Sequence, residues 1–577
     1  MRAARLVLLA ALVLWTAVAA AAPLPMRHGV VFLCPEQPEE AVRQLELIQG
    51  SGFDLIKFGS WVWTLPQPGS GLEQRAQAVL DWCDRHHMAF FLMHNIQFGN
   101  AAEGGGLNDQ VLDPRQALPL LQDWARVLRG HPSVLGVILG NEVVPSLGTP
   151  EQAPALWAQF RDWLAQQHGT IAALNQAWDD TSYQSFAEVG LPPGGSPGWA
   201  DYRAFANQVF ARFYGELFDG AFRPVLGEKL YGCKTSLDPF LHRACQRLSI
   251  ACWDDLVAMH PLWQLKCAAD TTGKPLFNAE LHLYHEFFQF MPSAARSRYR
   301  YLMSALLGEY MTASFAWGQW QSPDIQDIHA HTPGILAELR RLEPYCRALA
   351  TAYQQADLAV LVTDTNYHHQ GEGVENPLAR LYAQMAALGR PWRYLLDADL
   401  GTLRGGTLVV WTAGLTPAAA RALAALPPAV RVISLDAVPY RDQYDRLLPA
   451  ELQGALRRRA QVVARAELAR ALPPPSGLPP HFQKVGGARY TWWSAARGHY
   501  SYGVPYCPLE VRWTGYRGGR LVAVVNNYEL PQTAPLPWAG PGTRTVDLAS
   551  GRLLTPREAS HLYFAPLDVR LFLLTRQ

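Results

Sequence analysis

The sequence predicts an α/β protein: a (β/α)8 TIM barrel followed by a small flavodoxin-like α/β domain and a C-terminal β-sandwich. Three observations carry this. From Arg27 to about Arg347, eight short apolar runs alternate with amphipathic helical stretches, the length and order of a (β/α)8 barrel. Beyond Arg347, strand, helix and strand recur at shorter spacing, as in a doubly wound sheet. After the Pro-rich ALPPPSGLPP, Ala471 to Pro480, a stiff linker, segments alternate apolar and polar residues in the manner of surface-facing strands. A length of 577 residues suits two to four domains, and the boundaries fall at 26–350, 355–470 and 480–577.

Taken in order, the chain opens with Arg2 and Arg5, an apolar run and the small triplet Ala17-Val18-Ala19. Residues 1–22 therefore read as a signal peptide, which makes the mature protein secreted or periplasmic, with no membrane contact after cleavage. The first strand is HGVVFL from His28; FDLIKFGSW from Phe53 is the second, MAFFLMHN from Met88 the third and VLGVILGNE from Val134 the fourth. KLYGCKTS from Lys229, IACWDDLVAMHP from Ile250, PLFNAELH from Pro275 and TASFAWGQW from Thr312 complete the eight. Helices between them are punctuated by closing Gly and Pro residues, as in PEEAVRQLELIQGSG and RQALPLLQDWARVLRGHP. A long insertion, Val143 to Gly227, separates the fourth and fifth strands and should decorate the active-site face. In the second unit ADLAVLVTDT, TLVVWTAG and VRVISLD read as strands, with no phosphate-binding or nucleophile-elbow motif among them. GRLVAVVNNYEL and APLDVRLFLL represent the terminal β unit.

Composition narrows the function. Formal net charge is +1 without a basic run, which gives no support to a nucleic-acid partner. Nineteen tryptophans fit either core packing or the stacking of flat sugar faces on indole rings. The eight cysteines show no metal-ligand spacing, and the expectation is no metal and no cofactor. Four of them lie between Cys233 and Cys267, where an exported protein could form bridges.

Catalytic residues of such a barrel sit at the C-terminal ends of its strands. The fourth strand ends in Asn141-Glu142 and the seventh in Glu280, two carboxylates at one mouth. That pair is what two-carboxylate glycoside hydrolysis requires: one protonated carboxyl for the leaving oxygen, one carboxylate to attack the anomeric carbon. His94 and Asn95 end the third strand and His260 the sixth, polar groups suited to sugar hydroxyls. Trp61, Trp317 and Trp320 follow the second and eighth strands, and Trp317 is the expected sugar platform. Asp254-Asp255 read as the start of a loop.

Several stretches resemble glycoside hydrolase family 42, the β-galactosidase-like members of a large retaining barrel clan. They are CPEQPEE from Cys34, IKFGSWVWTLPQPGSG from Ile56, RDWLAQQHGTIAALNQAW from Arg161 and ASFAWGQWQS from Ala313. The resemblance implies Glu142 as acid/base, Glu280 as nucleophile and Asn141 against the sugar 2-hydroxyl. It also implies a homotrimer built through the α/β unit. The chain departs from the pattern at Gly59-Ser60-Trp61, at Gln67, and after the eighth strand, where Asp324, Asp327 and His329 replace a Glu-x-x-His. Those positions touch the sugar pocket, so the residues leave open a β-galactosidase, a β-glucan or mannan hydrolase, or a non-catalytic carbohydrate-binding barrel. An oligo- or polysaccharide is the partner in each.

Overall fold

A computed structural model describes residues 25–59, 71–96, 114–256, 262–282, 294–314, 317, 326–369, 376–412, 414–494, 498–527 and 530–576. Residues 1–22, and with them the signal-peptide reading, lie outside this set.

Eight parallel strands form the first sheet: β1 (Arg27–Phe32), β2 (Leu55–Phe58), β3 (Ala89–His94), β4 (Val134–Leu139), β5 (Leu230–Gly232), β6 (Ala251–Leu256), β7 (Leu276–His282) and β8 (Glu309–Ser314). Their order, β5-β4-β3-β2-β1-β8-β7-β6, is that of a barrel whose seam lies between β5 and β6. The seam is joined by a parallel bridge between Lys234 and Cys252 and by the Thr235 amide donating to the Cys252 carbonyl at 3.1 Å. Alternation along the strands sorts the side chains. Leu55, Phe91, Met93, Ile138, Phe277, Ala279 and Met311 fill the barrel. Ile56, Phe58, Phe90, Leu92, Val137 and Leu139 face the surrounding helices.

Two boundaries differ from the sequence reading. Asp254 and Asp255 are not a loop: they stay in β6 because Glu280 and Leu281 of β7 pair with them. Pairing with a neighbouring strand extends a polar run that alone reads as a turn. β8 begins at Glu309, whose register partner is Leu276, three residues before Thr312.

The insertion after β4 is helical, with Pro154–His168, Ile171–Trp178 and Pro197–Leu217. Its Gly-Thr-Ile run has a plain local logic. Gly169 takes a left-handed turn at φ +75° to end one helix, and the Thr170 side chain caps the next by accepting from the Ala173 amide. Asp201, 6% exposed, accepts from Trp178 Nε1 and pairs with His168, both at 2.9 Å. Tyr214 donates to the Ile96 carbonyl at 2.6 Å, tying the insertion to the C-terminal end of β3.

A second parallel sheet contains β9 (Leu358–Val362), β10 (Arg393–Leu396), β11 (Gly406–Val410), β12 (Val430–Leu435) and β13 (Ala460–Val463), ordered β10-β9-β11-β12-β13. Both its faces are buried, Val360 and Val409 toward one layer and Ala359 and Leu408 toward the other. The last unit is antiparallel. A five-stranded sheet centred on Gly519–Asn526 and Val569–Arg576 packs Leu521, Ala523 and Leu571 into the core that holds the barrel helices. Its other face carries Val522, Val524 and Phe572 in a core of its own, which Leu478 of the Pro-rich stretch joins.

All three units meet at a buried ion cluster. Lys266 pairs with Asp270 at 2.8 Å, both 2% exposed or less, and its ammonium lies over the rings of Trp392 and Tyr353 at 4.7 and 5.5 Å. Arg512, from the antiparallel sheet, pairs with Glu510 at 2.7 Å and lies over Tyr353 from the other side of the network at 4.9 Å. Among the described residues no helix is long and apolar enough to cross a membrane.

Candidate active site

Glu280 is held between two lysines. Lys57, third residue of β2, points into the barrel beneath the mouth and places Nζ 2.7 Å from Glu280 Oε1. Lys234, just past β5, places Nζ 2.7 Å from Glu280 Oε2. Both lysine side chains are fully buried, and that of Glu280 is 10% exposed. A charge taken out of water is tolerated only when paired, so the three groups hold one another as a buried ion cluster around an anionic Glu280.

Glu142 reaches the same cluster from the fourth strand. β4 ends at Leu139, and the chain then turns through Gly140 at φ +78° and Glu142 at φ +52°. A Cβ at Gly140 would stand 2.6 Å from the Val143 side chain and 2.7 Å from the Tyr214 hydroxyl, so the turn admits only glycine there. The left-handed conformation of Glu142 is uncommon for a residue other than glycine and is held by contacts on both sides. Before it, the Asn141 amide donates to Asn95 Oδ1 at 3.1 Å and the Gly140 amide to the His94 carbonyl at 2.7 Å. After it, the Val143 amide donates to the Lys234 carbonyl at 3.0 Å, and the Thr235 hydroxyl donates to the Val143 carbonyl at 2.6 Å. The Glu142 side chain remains 58% exposed, with Oε1 3.3 Å from Lys234 Nζ. One ammonium is therefore shared by both carboxylates, and the two oxygens that it touches are at most about 6 Å apart.

The other expected site residues divide. Asn95 is at the mouth, where it fixes the Asn141 backbone. His94 is not: it falls on the strand face that meets the helices, edge-on to Trp124 with centroids 4.9 Å apart. Burial lowers its pKa to about 4, so the ring is neutral, and Nε2 has no hydrogen-bond partner among the described residues. The expected sugar platform is corrected too. Trp317 is 4% exposed, belongs to the core between barrel and helices, and donates from Nε1 to Gln44 Oε1 at 2.5 Å. An indole packed on its faces offers none to a sugar. Trp61, His260 and Trp320 lie outside the described residues. All eight cysteines are free thiols.

Lys57 and Lys234 escaped the sequence reading. The signal was present in Leu55-Ile56-Lys57-Phe58: a lysine amid a short apolar strand is almost never fully buried without a carboxylate partner.

Comparison with known proteins bears on the chain as a whole and on one stretch of it. The family model for glycoside hydrolase family 42, described as β-galactosidase, matches residues 115–221. That span includes Asn141, Glu142 and the helix–turn–helix of the insertion. A β-galactosidase of Thermus thermophilus is 34% identical over 142 residues, 21% of this chain and 21% of its own length. A β-galactosidase of an Arthrobacter species is 26% identical over 240 residues, covering 32% of this chain and 31% of its own. The chain thus matches less than a third of the length of either curated relative. Among solved structures, a β-galactosidase from Bacillus circulans sp. alkalophilus superposes with a TM-score of 0.68 at 14% identity, over 96% of this chain and 99% of that one. With a barrel of eight parallel strands, a sequence match over residues 115–221 that contains its fourth strand, and relatives of one kind, the chain is similar over that stretch to glycoside hydrolase family 42, the β-galactosidase-like family.

Proposed function

We propose that the chain is a secreted, retaining glycoside hydrolase of terminal β-galactosides or a closely related β-glycoside. The observation that carries this is the single Lys234 ammonium within reach of both Glu142 and Glu280. Retaining enzymes keep their carboxyl groups about 5–5.5 Å apart, whereas inverting ones leave about 6.5–9.5 Å for a water, and a bound near 6 Å favours the former. Glu280 attacks the anomeric carbon as its bond to the leaving oxygen breaks, and Glu142 gives that oxygen its proton. Water then attacks the same carbon, Glu142 takes a proton from it, and Glu280 leaves as carboxylate. The exposure of Glu142 suits proton exchange with solvent between turnovers, and the burial of Glu280 suits a charge that must stay put.

The sugar is read from the family and its relatives, with the departures at Gly59-Ser60-Trp61 bearing on specificity. Export rests on the N-terminal Arg-flanked apolar run. The strand order of the second sheet supports a flavodoxin-like unit, and the antiparallel strands support a terminal β-sandwich; that the α/β unit assembles a homotrimer rests on the resemblance to the family alone. A panel of nitrophenyl glycosides, followed by NMR of the first-formed sugar, tests the central reading. Turnover of the β-galactoside with early β-anomer is expected. Early α-anomer refutes retention, turnover of β-glucosides or β-mannosides alone refutes the sugar, and binding without turnover leaves a carbohydrate-binding barrel. Sedimentation of a monomer at micromolar concentration would remove the trimer.

A further inference from the structure

We propose that Lys234 is a positioning residue that changes partner during turnover, holding Glu280 ready for attack and then holding Glu142 as the base that releases the sugar. The inference rests on the retaining reading above and deepens it. In the free protein the Lys234 ammonium is 2.7 Å from Glu280 Oε2 and 3.3 Å from Glu142 Oε1, so the shorter contact belongs to the nucleophile. The first displacement forms the bond between Glu280 and the anomeric carbon and breaks that carbon's bond to the leaving oxygen, which departs with the proton of Glu142. Glu280 is then an ester and carries no charge. The buried ammonium keeps all its protons but has lost the carboxylate it held most closely, and Glu142, now deprotonated, is within its reach. An ammonium with no water around it cannot remain without a counter-charge at low cost.

Lys234 is built to stay while its partner changes. Its carbonyl accepts the Val143 amide at 3.0 Å, and the Thr235 hydroxyl next to it donates to the Val143 carbonyl at 2.6 Å. The segment that carries the ammonium is thus clamped to the turn that carries Glu142, and the distance between them is set by backbone bonds. Lys57 remains beside Glu280 on the opposite side at 2.7 Å from Oε1. In the second displacement water's oxygen bonds to the anomeric carbon, the ester bond breaks, and water's proton passes to Glu142. Glu280 recovers its charge and Lys234 returns to it. Without Lys234, Glu142 would serve less well as base in the second step than as acid in the first.

The test separates the two steps by leaving group. With a 2,4-dinitrophenyl β-galactoside departure is easy and sugar release limits kcat; with the phenyl β-galactoside the first step limits it. Lys234→Met is expected to lower kcat on the dinitrophenyl substrate at least about tenfold and on the phenyl substrate by a smaller factor, because the base of the second step is no longer held in place. Azide, which attacks without a base, is expected to restore turnover and yield β-galactosyl azide. An equal loss on both substrates, with no azide effect, overturns the partner change. Should the variant fail to fold, the wild-type chain trapped with a 2-deoxy-2-fluoro-galactoside gives a second measurement. Its crystal structure is expected to show Lys234 Nζ in hydrogen-bond contact with Glu142, and a Lys234 that has not closed on Glu142 overturns the proposal. A wild-type chain that neither hydrolyses nor is labelled would instead bring down the hydrolase reading itself.

Discussion

Replacing Glu280 with glutamine keeps the shape of the side chain and removes its charge, which isolates the electrostatic role of the buried cluster. Lys57 and Lys234 each sit 2.7 Å from one of its oxygens, with both lysine side chains at 0% exposure. A glutamine can accept from one lysine but must turn its NH2 toward the other, placing donor against donor. Breaking a buried ion pair by removing one partner costs about 3–5 kcal/mol. Lys234 keeps Glu142 at 3.3 Å, so the penalty is set at that of one broken pair. At roughly 2 °C per kcal/mol for a large unit, the melting transition of the barrel should fall by about 6–10 °C. Scanning calorimetry at neutral pH reads this directly. The double variant Lys57→Met with Glu280→Gln should recover most of the loss, because both members of the pair are then removed together. A Glu280→Gln protein melting with or above the wild type would refute the view that the carboxylate holds the lysines in place.

Other outcomes follow from the same geometry. Glu142→Gln should retain attack on substrates with good leaving groups, lose those with poor ones, and regain turnover of activated substrates with azide; unchanged hydrolysis of a poor-leaving-group glycoside would show the acid/base to be elsewhere. Trp317→Phe should cost about 1–3 kcal/mol of stability by removing the buried hydrogen bond from its indole to Gln44, while KM stays as it was; a raised KM with unchanged melting would restore the platform reading. His368 bridges Asp238 and Asp364 at 3.0 Å each, and although burial alone would lower its pKa, Asp238 and then Asp364 carry it up to about 9. Because the folded value lies above the ordinary 6.5, this contact stabilises fully below about pH 6.5 and is lost as pH rises through about 9. The melting difference between wild type and His368→Gln should therefore shrink from pH 6 to pH 10, and a pH-independent difference would rule the contact out as its source.

The barrel was legible because its period is coarse: eight apolar runs such as Phe90–Met93, with helices between, survive errors of two or three residues at each end. The strand-end glutamates were legible for the same reason, since a carboxylate after Gly136-Val137-Ile138-Leu139 stands out against its surroundings. What chemistry they share was not. Lys57 and Lys234 are 177 positions apart, and their convergence on Glu280 depends on strand tilt and inward pointing, which no local pattern encodes. Trp317 and His94 failed in the opposite sense. Both follow or end a strand, but a one-residue change in phase decides whether a side chain meets the mouth or the helices. A tryptophan count could not make that distinction.

The cluster of Lys266, Asp270, Glu510 and Arg512, with the cores on either side of it, bears on modularity. Trp263, Cys267 and Tyr353 from the barrel region share one core with Val360, Tyr394 and Ile433, while Leu521, Ala523 and Val569 share another with the barrel's helices. A chain ending near residue 350 would lay those apolar surfaces open and leave Lys266 and Asp270 on a raw face, the kind of patch that drives aggregation. The barrel is thus an unfinished building without its neighbours, and the units would be inherited as a block. Change in such a protein is channelled away from the cores that join its units, where the masonry stays fixed.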